Sequence, residues 1–163
     1  MSSAAQTLRM PNVGVQREAM KKLSFLIGNW RGEARLYRGG EPIEVTQTES
    51  AQFKLDGLIL MIEGVGRTKA EGKVVLQALG LLSYDDAAGV YRMRAFNDGR
   101  WLETEVTLAE GGKGLDWGFT FGEIRTKSAL RMNEKGEWTE HAEITFGTSE
   151  PHKLMEIVVR HEE

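Results

Sequence analysis

The sequence predicts an all-β domain, a closed antiparallel up-and-down β-barrel of about ten strands with a short N-terminal helix. Two observations point to strands. From Trp30 to the end, short runs with two-residue apolar alternation are separated by glycine-rich turns, and no helical segment falls between them, which excludes βαβ architectures. A third argument closes the sheet. A flat meander of this length would expose two long edges and an unburied face, whereas closure removes the edges.

The elements follow in order. Residues 1–15 are rich in Ser, Ala and Gln, contain Pro11 and Gly14, and read as a flexible arm before a single domain over 16–163. Within 16–27, Ala19, Met20, Leu23, Leu26 and Ile27 recur at helical spacing and form one apolar stripe. Gly28 then supplies the residue that tolerates positive φ at a helix end. Strands are expected at 30–38, 43–55, 58–66, 74–84, 90–96, 101–109, 115–121, 124–132, 137–146 and 154–160. Their turns contain Gly39-Gly40, Glu71-Gly72, Asn97-Asp98-Gly99, Gly111-Gly112 and others. Asp56-Gly57, between Phe53-Lys54-Leu55 and Leu58-Ile59-Leu60, is the sharpest hairpin signal.

Composition narrows the functional classes. A chain of 163 residues buries roughly two-thirds of its unfolded surface, enough for a core or for a smaller core around a cavity. A net charge of −3 argues against general affinity for nucleic acid or for an anionic membrane. Arg92, Arg94 and Arg100 read as a solvated face. The absence of cysteine excludes a disulfide framework, a thiol nucleophile and a cysteine-based zinc site. The longest apolar run, Leu58 to Ile62, is strand-sized, and no apolar leader precedes it, so a cytoplasmic protein is expected.

Alternation sorts inward from outward side chains. The inward rows are Ile43, Val45, Ala51, Phe53 and Leu55, interrupted by Gln47 and Glu49; Leu102, Val106 and Leu108, with Thr104 among them; Trp117, Phe119 and Phe121; and Trp138, Ala142, Ile144 and Phe146, interrupted by Glu140. A carboxylate on an inward row is costly unless it is paired, hydrogen-bonded or facing a wet cavity, so Glu49 and Glu140 are the most informative polar residues. Leu58 to Ile62 and Val74 to Leu82 are apolar on both faces. One face can fill the barrel, and the other needs cover from the helix or from a second subunit, which makes a homodimer a candidate assembly.

Phe25-Leu26-Ile27-Gly28-Asn29-Trp30-Arg31-Gly32-Glu33 resembles the opening of lipocalin-like (calycin) proteins, where a helical turn leads into Gly-x-Trp on the first strand. Lys54-Leu55-Asp56-Gly57, Glu63-Gly64-Val65-Gly66-Arg67 and Leu82-Ser83-Tyr84-Asp85 resemble a bacterial family of uncharacterised function in that group. The resemblance implies that Trp30 packs under Arg160 of the last strand as a structural closure, a cation–π contact worth roughly 0.5–2 kcal/mol. The same opening is similar to nitrobindins, haem-binding barrels whose iron-ligating histidine precedes a leucine near the C-terminus. Here Lys153 precedes Leu154 and the histidine, His152, stands one position earlier, a slip that on a regular strand turns the side chain to the other face.

The motifs of common catalytic centres are missing. No Gly-x-Ser-x-Gly, His-x-His or His-Glu-x-x-His occurs, and no helix follows Gly64-Val65-Gly66 to make a dinucleotide fingerprint. Of the three histidines, His141 reads as outward, His152 as a loop residue and His161 as solvated. No catalytic or metal-ligating residue is assigned, and no cofactor is expected beyond the haem that the nitrobindin resemblance implies. The expected function is binding of a small apolar or amphipathic molecule, with Phe53, Trp117, Phe119, Trp138 and Phe146 as walls and Gln47, Glu49, Thr104 and Glu140 as polar groups. A carboxylate-dependent enzyme is the alternative, and it requires Glu49 and Glu140 in one cavity.

Overall fold

The computed structural model describes residues 9–163, so the first eight residues of the expected arm lie outside the described residues. Ten antiparallel strands follow one helix: α1 Val13–Lys21, then β1 Gly28–Leu36, β2 Ile43–Lys54, β3 Ile59–Thr68, β4 Val74–Asp85, β5 Val90–Asn97, β6 Arg100–Leu108, β7 Gly114–Phe121, β8 Ile124–Met132, β9 Trp138–Phe146 and β10 His152–His161. Each strand pairs with its sequence neighbours, and β1 pairs with β10, so the sheet closes into an up-and-down barrel. Burial alternates most clearly along β2, where Val45, Gln47, Glu49 and Ala51 are the buried positions.

The closing seam runs from Trp30 opposite His161 to Leu36 opposite Met155. A Cβ at Gly32 would overlap the Val158 carbonyl, so this position on β1 accepts only glycine while the first and last strands stay in register.

One end of the barrel is plugged. The expected helix over 16–27 is instead α1, starting three residues earlier, followed by a separate 3-10 turn, Ser24–Leu26. The Asn12 side chain caps α1 by accepting from the Val15 N–H, which explains the earlier start. The apolar stripe survives the break, because Met20, Leu23 and Leu26 are all fully buried. Polar contacts at the plug hold it in place. Asp86 accepts from the Asn12 N–H at 2.9 Å and from Gln16 Nε2 at 2.7 Å. Arg17 Nε donates to the Asp56 carbonyl at 2.8 Å, and the Tyr91 hydroxyl donates to the Ala19 carbonyl at 2.7 Å.

The expected two-residue hairpin at Asp56-Gly57 is a wider turn. Lys54 pairs with Ile59, and Leu55, Asp56 and Gly57 all carry positive φ. Gly28 has φ of 131° but opens β1 rather than ending a helix.

The opposite end is open. Phe96, Trp101, Leu102, Phe121, Ile124 and Phe146 stand exposed there, beside the β5–β6, β7–β8 and β9–β10 turns. The wall is also weakest on this side. β6 and β7 pair only from Val106 opposite Trp117 to Leu108 opposite Leu115 and part toward the mouth, where the Thr104 hydroxyl reaches across to the Gly118 carbonyl at 2.6 Å. On the outer surface Met61 and Leu81 are cross-strand neighbours on β3 and β4, with Val65 and Leu79 nearby, so the doubly apolar segments do present an outward apolar face.

Candidate ligand cavity

A cavity of about 430 Å³ occupies the barrel interior, within the ~300–1,000 Å³ usual for small-molecule sites. Its wall is mostly apolar: Leu76, Leu82, Met93, Leu102, Val106, Trp117, Phe119, Leu130 and Ile157 contribute, and Asn97, Asp98 and Arg100 mark the mouth. The floor is Trp138, backed by Trp30, which packs against it edge to face with centroids 5.7 Å apart. The Trp30 indole N–H donates to the Leu26 carbonyl at 2.9 Å, which ties the floor to the N-terminal plug.

Above this floor lies a polar group of three side chains. Gln47 is fully buried and its Nε2 donates to Glu49 Oε1 at 2.7 Å. Glu140 sits on β9 opposite Ile157, one inward position above Trp138, and lines the same cavity as Gln47 and Glu49. Backbone choice makes room for the group. Gly64 and Gly66 of β3 face it, and a Cβ on Gly64 would come within 2.8 Å of Glu49 Oε2, and one on Gly66 within 2.7 Å of Gln47 Oε1. The Gly64-Val65-Gly66 stretch therefore serves as space for polar side chains.

Both carboxyls are shifted strongly upward. Burial pushes Glu49 up to about 8, aided by the neighbouring Glu140 charge and opposed by the Gln47 hydrogen bond. Burial likewise pushes Glu140 up to about 7, opposed by the nearby Trp138 indole. That indole N–H still lacks a partner at hydrogen-bonding geometry, as does Gln47 Oε1. Both atoms are closed off within the wall, so the polar groups that the cavity presents are the two carboxyls. The two carboxyls share one cavity, which is the arrangement that acid–base chemistry on a bound molecule requires.

The structure gathers Gln47, Glu49, Trp117, Phe119, Trp138 and Glu140 around this space and leaves three expected residues out of its lining. Phe53 packs into the core toward the plugged end, because its strand passes below the cavity floor. Thr104 spends its hydroxyl on the β6–β7 gap. Phe146 is 50% exposed at the rim, because it is the last residue of β9. Leu36, Leu76, Ala78, Gly80 and Met155 line the cavity but were not singled out by the sequence reading, since small and aliphatic residues on inward rows look the same in a cavity as in a filled core.

The expected Trp30–Arg160 closure is also corrected. Arg160 lies opposite Arg31, one step out of phase with Trp30, and its guanidinium pairs with Glu137. His161 occupies the position facing Trp30, with ring centroids 5.0 Å apart in an edge-to-face contact. This histidine is exposed, yet it is part of the closure rather than freely solvated.

His152 needs a second correction. The register of β10 shifts between Lys153 and Met155, so His152 pairs with Ile144 and returns to the cavity side of the wall. It is nevertheless exposed at the rim and outside the cavity lining, and His141 is exposed as well. The lining contains no histidine, so these residues do not fit an enclosed haem held by an imidazole. Among the described residues no group of three or more His, Asp or Glu is placed to hold a metal ion, and no helix is long and apolar enough to cross a membrane.

No family model matches the sequence, and no curated protein does. Solved structures do match. Rv2717c from M. tuberculosis is similar over 89% of this chain and 98% of its own, with 15% identity and a TM-score of 0.67. The S-type phycobiliprotein lyase CPES from Guillardia theta is similar over 94% of this chain and 99% of its own, with 9% identity and a TM-score of 0.62. At these identities the likeness is one of fold alone, and it agrees with the closed up-and-down barrel seen here.

Proposed function

We propose that the protein binds one small amphipathic molecule inside its barrel. The observation that carries this reading is the largely apolar space inside the barrel, open at one end and lined at its depth by the carboxyls of Glu49 and Glu140. A filled core is a costly place for two carboxyls with no cation beside them. The exposed apolar rim and the gap between β6 and β7 give an apolar ligand a route in.

The test is binding of a neutral, environment-sensitive dye such as Nile red. Saturable, blue-shifted emission at one dye per chain is expected, and Ala78→Trp, which places an indole in the cavity, is expected to weaken it about ten-fold or more, roughly 1.4 kcal/mol. A dye that binds wild type and variant alike would locate the apolar site elsewhere.

A further inference from the structure

The polar pole of the cavity has an imbalance that narrows the ligand class. Its acceptors are the two carboxyl groups and Gln47 Oε1, and the amide nitrogen of Gln47 is already committed to Glu49. The one unpartnered buried donor is the Trp138 indole N–H. Among the lining residues the charged groups besides Glu49 and Glu140 are Arg38, Asp98 and Arg100. Asp98 and Arg100 belong to the mouth, and Arg38 donates to the Val75 carbonyl. The strands packed against the pole bring no cation to it: β1 and β10 present Trp30, Gly32 and Ile157, and β3 presents Gly64 and Gly66. The acidic pair does not stand alone, since the fully buried Gln47 oxygen beside it is also without a partner.

We propose that the cavity takes an alkylammonium ligand, its head group seated at the carboxyls of Glu49 and Glu140 beside Gln47 and its tail running up the apolar wall toward the mouth. An ammonium carries three N–H donors, enough to reach the carboxyl oxygens of both glutamates. Its charge supplies what two buried carboxyls lack, because a buried carboxylate is stable only when paired. A carboxylate ligand would bring more negative charge to a pole that offers no cation to receive it, and an alcohol would satisfy one acceptor without bringing any positive charge. Seating the cation favours the ionised carboxylate, so binding near neutral pH releases a proton from the pair to solvent.

This inference rests on the binding reading above, and calorimetry of the whole chain separates the two. Decylamine, decanol and decanoate share one tail and differ in the head group. At a pH of about 7.5, decylamine is expected to bind about ten-fold tighter than decanol, with decanoate weakest. Glu49→Gln combined with Glu140→Gln is expected to erase the amine's advantage and leave decanol binding in place. Wild-type protein gives a readout independent of any variant: titrations in buffers of different ionisation enthalpy are expected to show proton release with decylamine and none with decanol. Equal affinities for all three, or tightest binding of decanoate, would overturn the ammonium assignment while keeping the cavity as a binding site. Failure of all three compounds and of Nile red to bind would remove the binding reading and this inference together.

Discussion

Raising the pH from about 5 to about 9 is expected to lower the melting temperature of the wild-type protein by roughly 5–15 °C, and Glu49→Gln is expected to remove much of that fall. In the unfolded chain both glutamates titrate near the ordinary carboxyl value of 4.5, whereas burial in the fold pushes them up to about 8 and about 7. Between those values the native state holds protons that the unfolded state has lost, so unfolding becomes easier as the pH rises. Their contribution is complete below pH 4.5, declines through the neutral range, and levels off once both carboxyls ionise in the fold. A single pKa unit corresponds to about 1.4 kcal/mol, so the pair together is worth on the order of several kcal/mol. The partly buried carboxylates Asp85 and Asp86 are held below their ordinary range by hydrogen bonds, chiefly from the Ala88 and Asn12 backbone N–H groups. Their effect has the opposite sign and falls at more acidic pH, outside this window. Glutamine at position 49 keeps the acceptor for Gln47 Nε2 and cannot ionise, so the variant is expected to match wild type at pH 5 and exceed it at pH 8. Thermal melts across the range read this directly. A melting temperature that climbs from pH 5 to 8 would show that the two carboxyls are not buried as described.

Trp30→Ala is expected to cost about 3–5 kcal/mol, the usual loss for truncating a buried aromatic side chain, and about 10 °C or more in melting temperature. Trp30 is 4% exposed and joins four parts of the molecule. It packs on Trp138 of β9 and His161 of β10, donates to the Leu26 carbonyl of the plug, and belongs to β1. Arg160→Ala is the contrasting variant. Its side chain is 69% exposed and pairs with Glu137, which also accepts from Asn133 Nδ2. The arginine itself is exposed but Glu137 is buried, so losing the pair is expected to cost about 1–2 kcal/mol, the penalty of one buried acceptor left unpaired and well short of the loss from Trp30→Ala. Equal losses from the two substitutions would restore arginine as the partner that closes the barrel.

The strands were legible because glycine turns and period-two alternation act over a few residues. Ile124–Met132 matches the sequence reading at both ends, and the other strand ends fall within two residues of it. The helix was misjudged because its apolar stripe continues smoothly through Leu23 and Leu26 while the backbone does not. There the deciding signal was the Asn12 cap, and a periodicity argument does not register caps. Glu49 and Glu140 were readable as charges out of place on apolar rows, and the barrel brings them to one cavity. Position along the barrel axis was not readable. Phe53, Trp117 and Phe146 have the same inward phase, yet one lies in the core toward the plug, one in the cavity wall and one at the rim. The closure was missed by a single residue, because whether position 160 or 161 meets Trp30 depends on the pairing of two strands 130 positions apart in the chain. The slip at His152 was judged for a regular strand, and the bulge at Leu154 reverses its sense.

Carbon-13 NMR of the glutamate side-chain carboxyls, titrated from acid to alkaline pH with and without decylamine, examines the polar pole itself. Two glutamates, assigned by their loss in Glu49→Gln and Glu140→Gln, are expected to titrate as a coupled pair with apparent midpoints near 7 and 8, and both are expected to shift when the amine is added. Ordinary titration of every glutamate near 4.5, undisturbed by any added ligand, would contradict a cavity whose depth is built from these two buried acids.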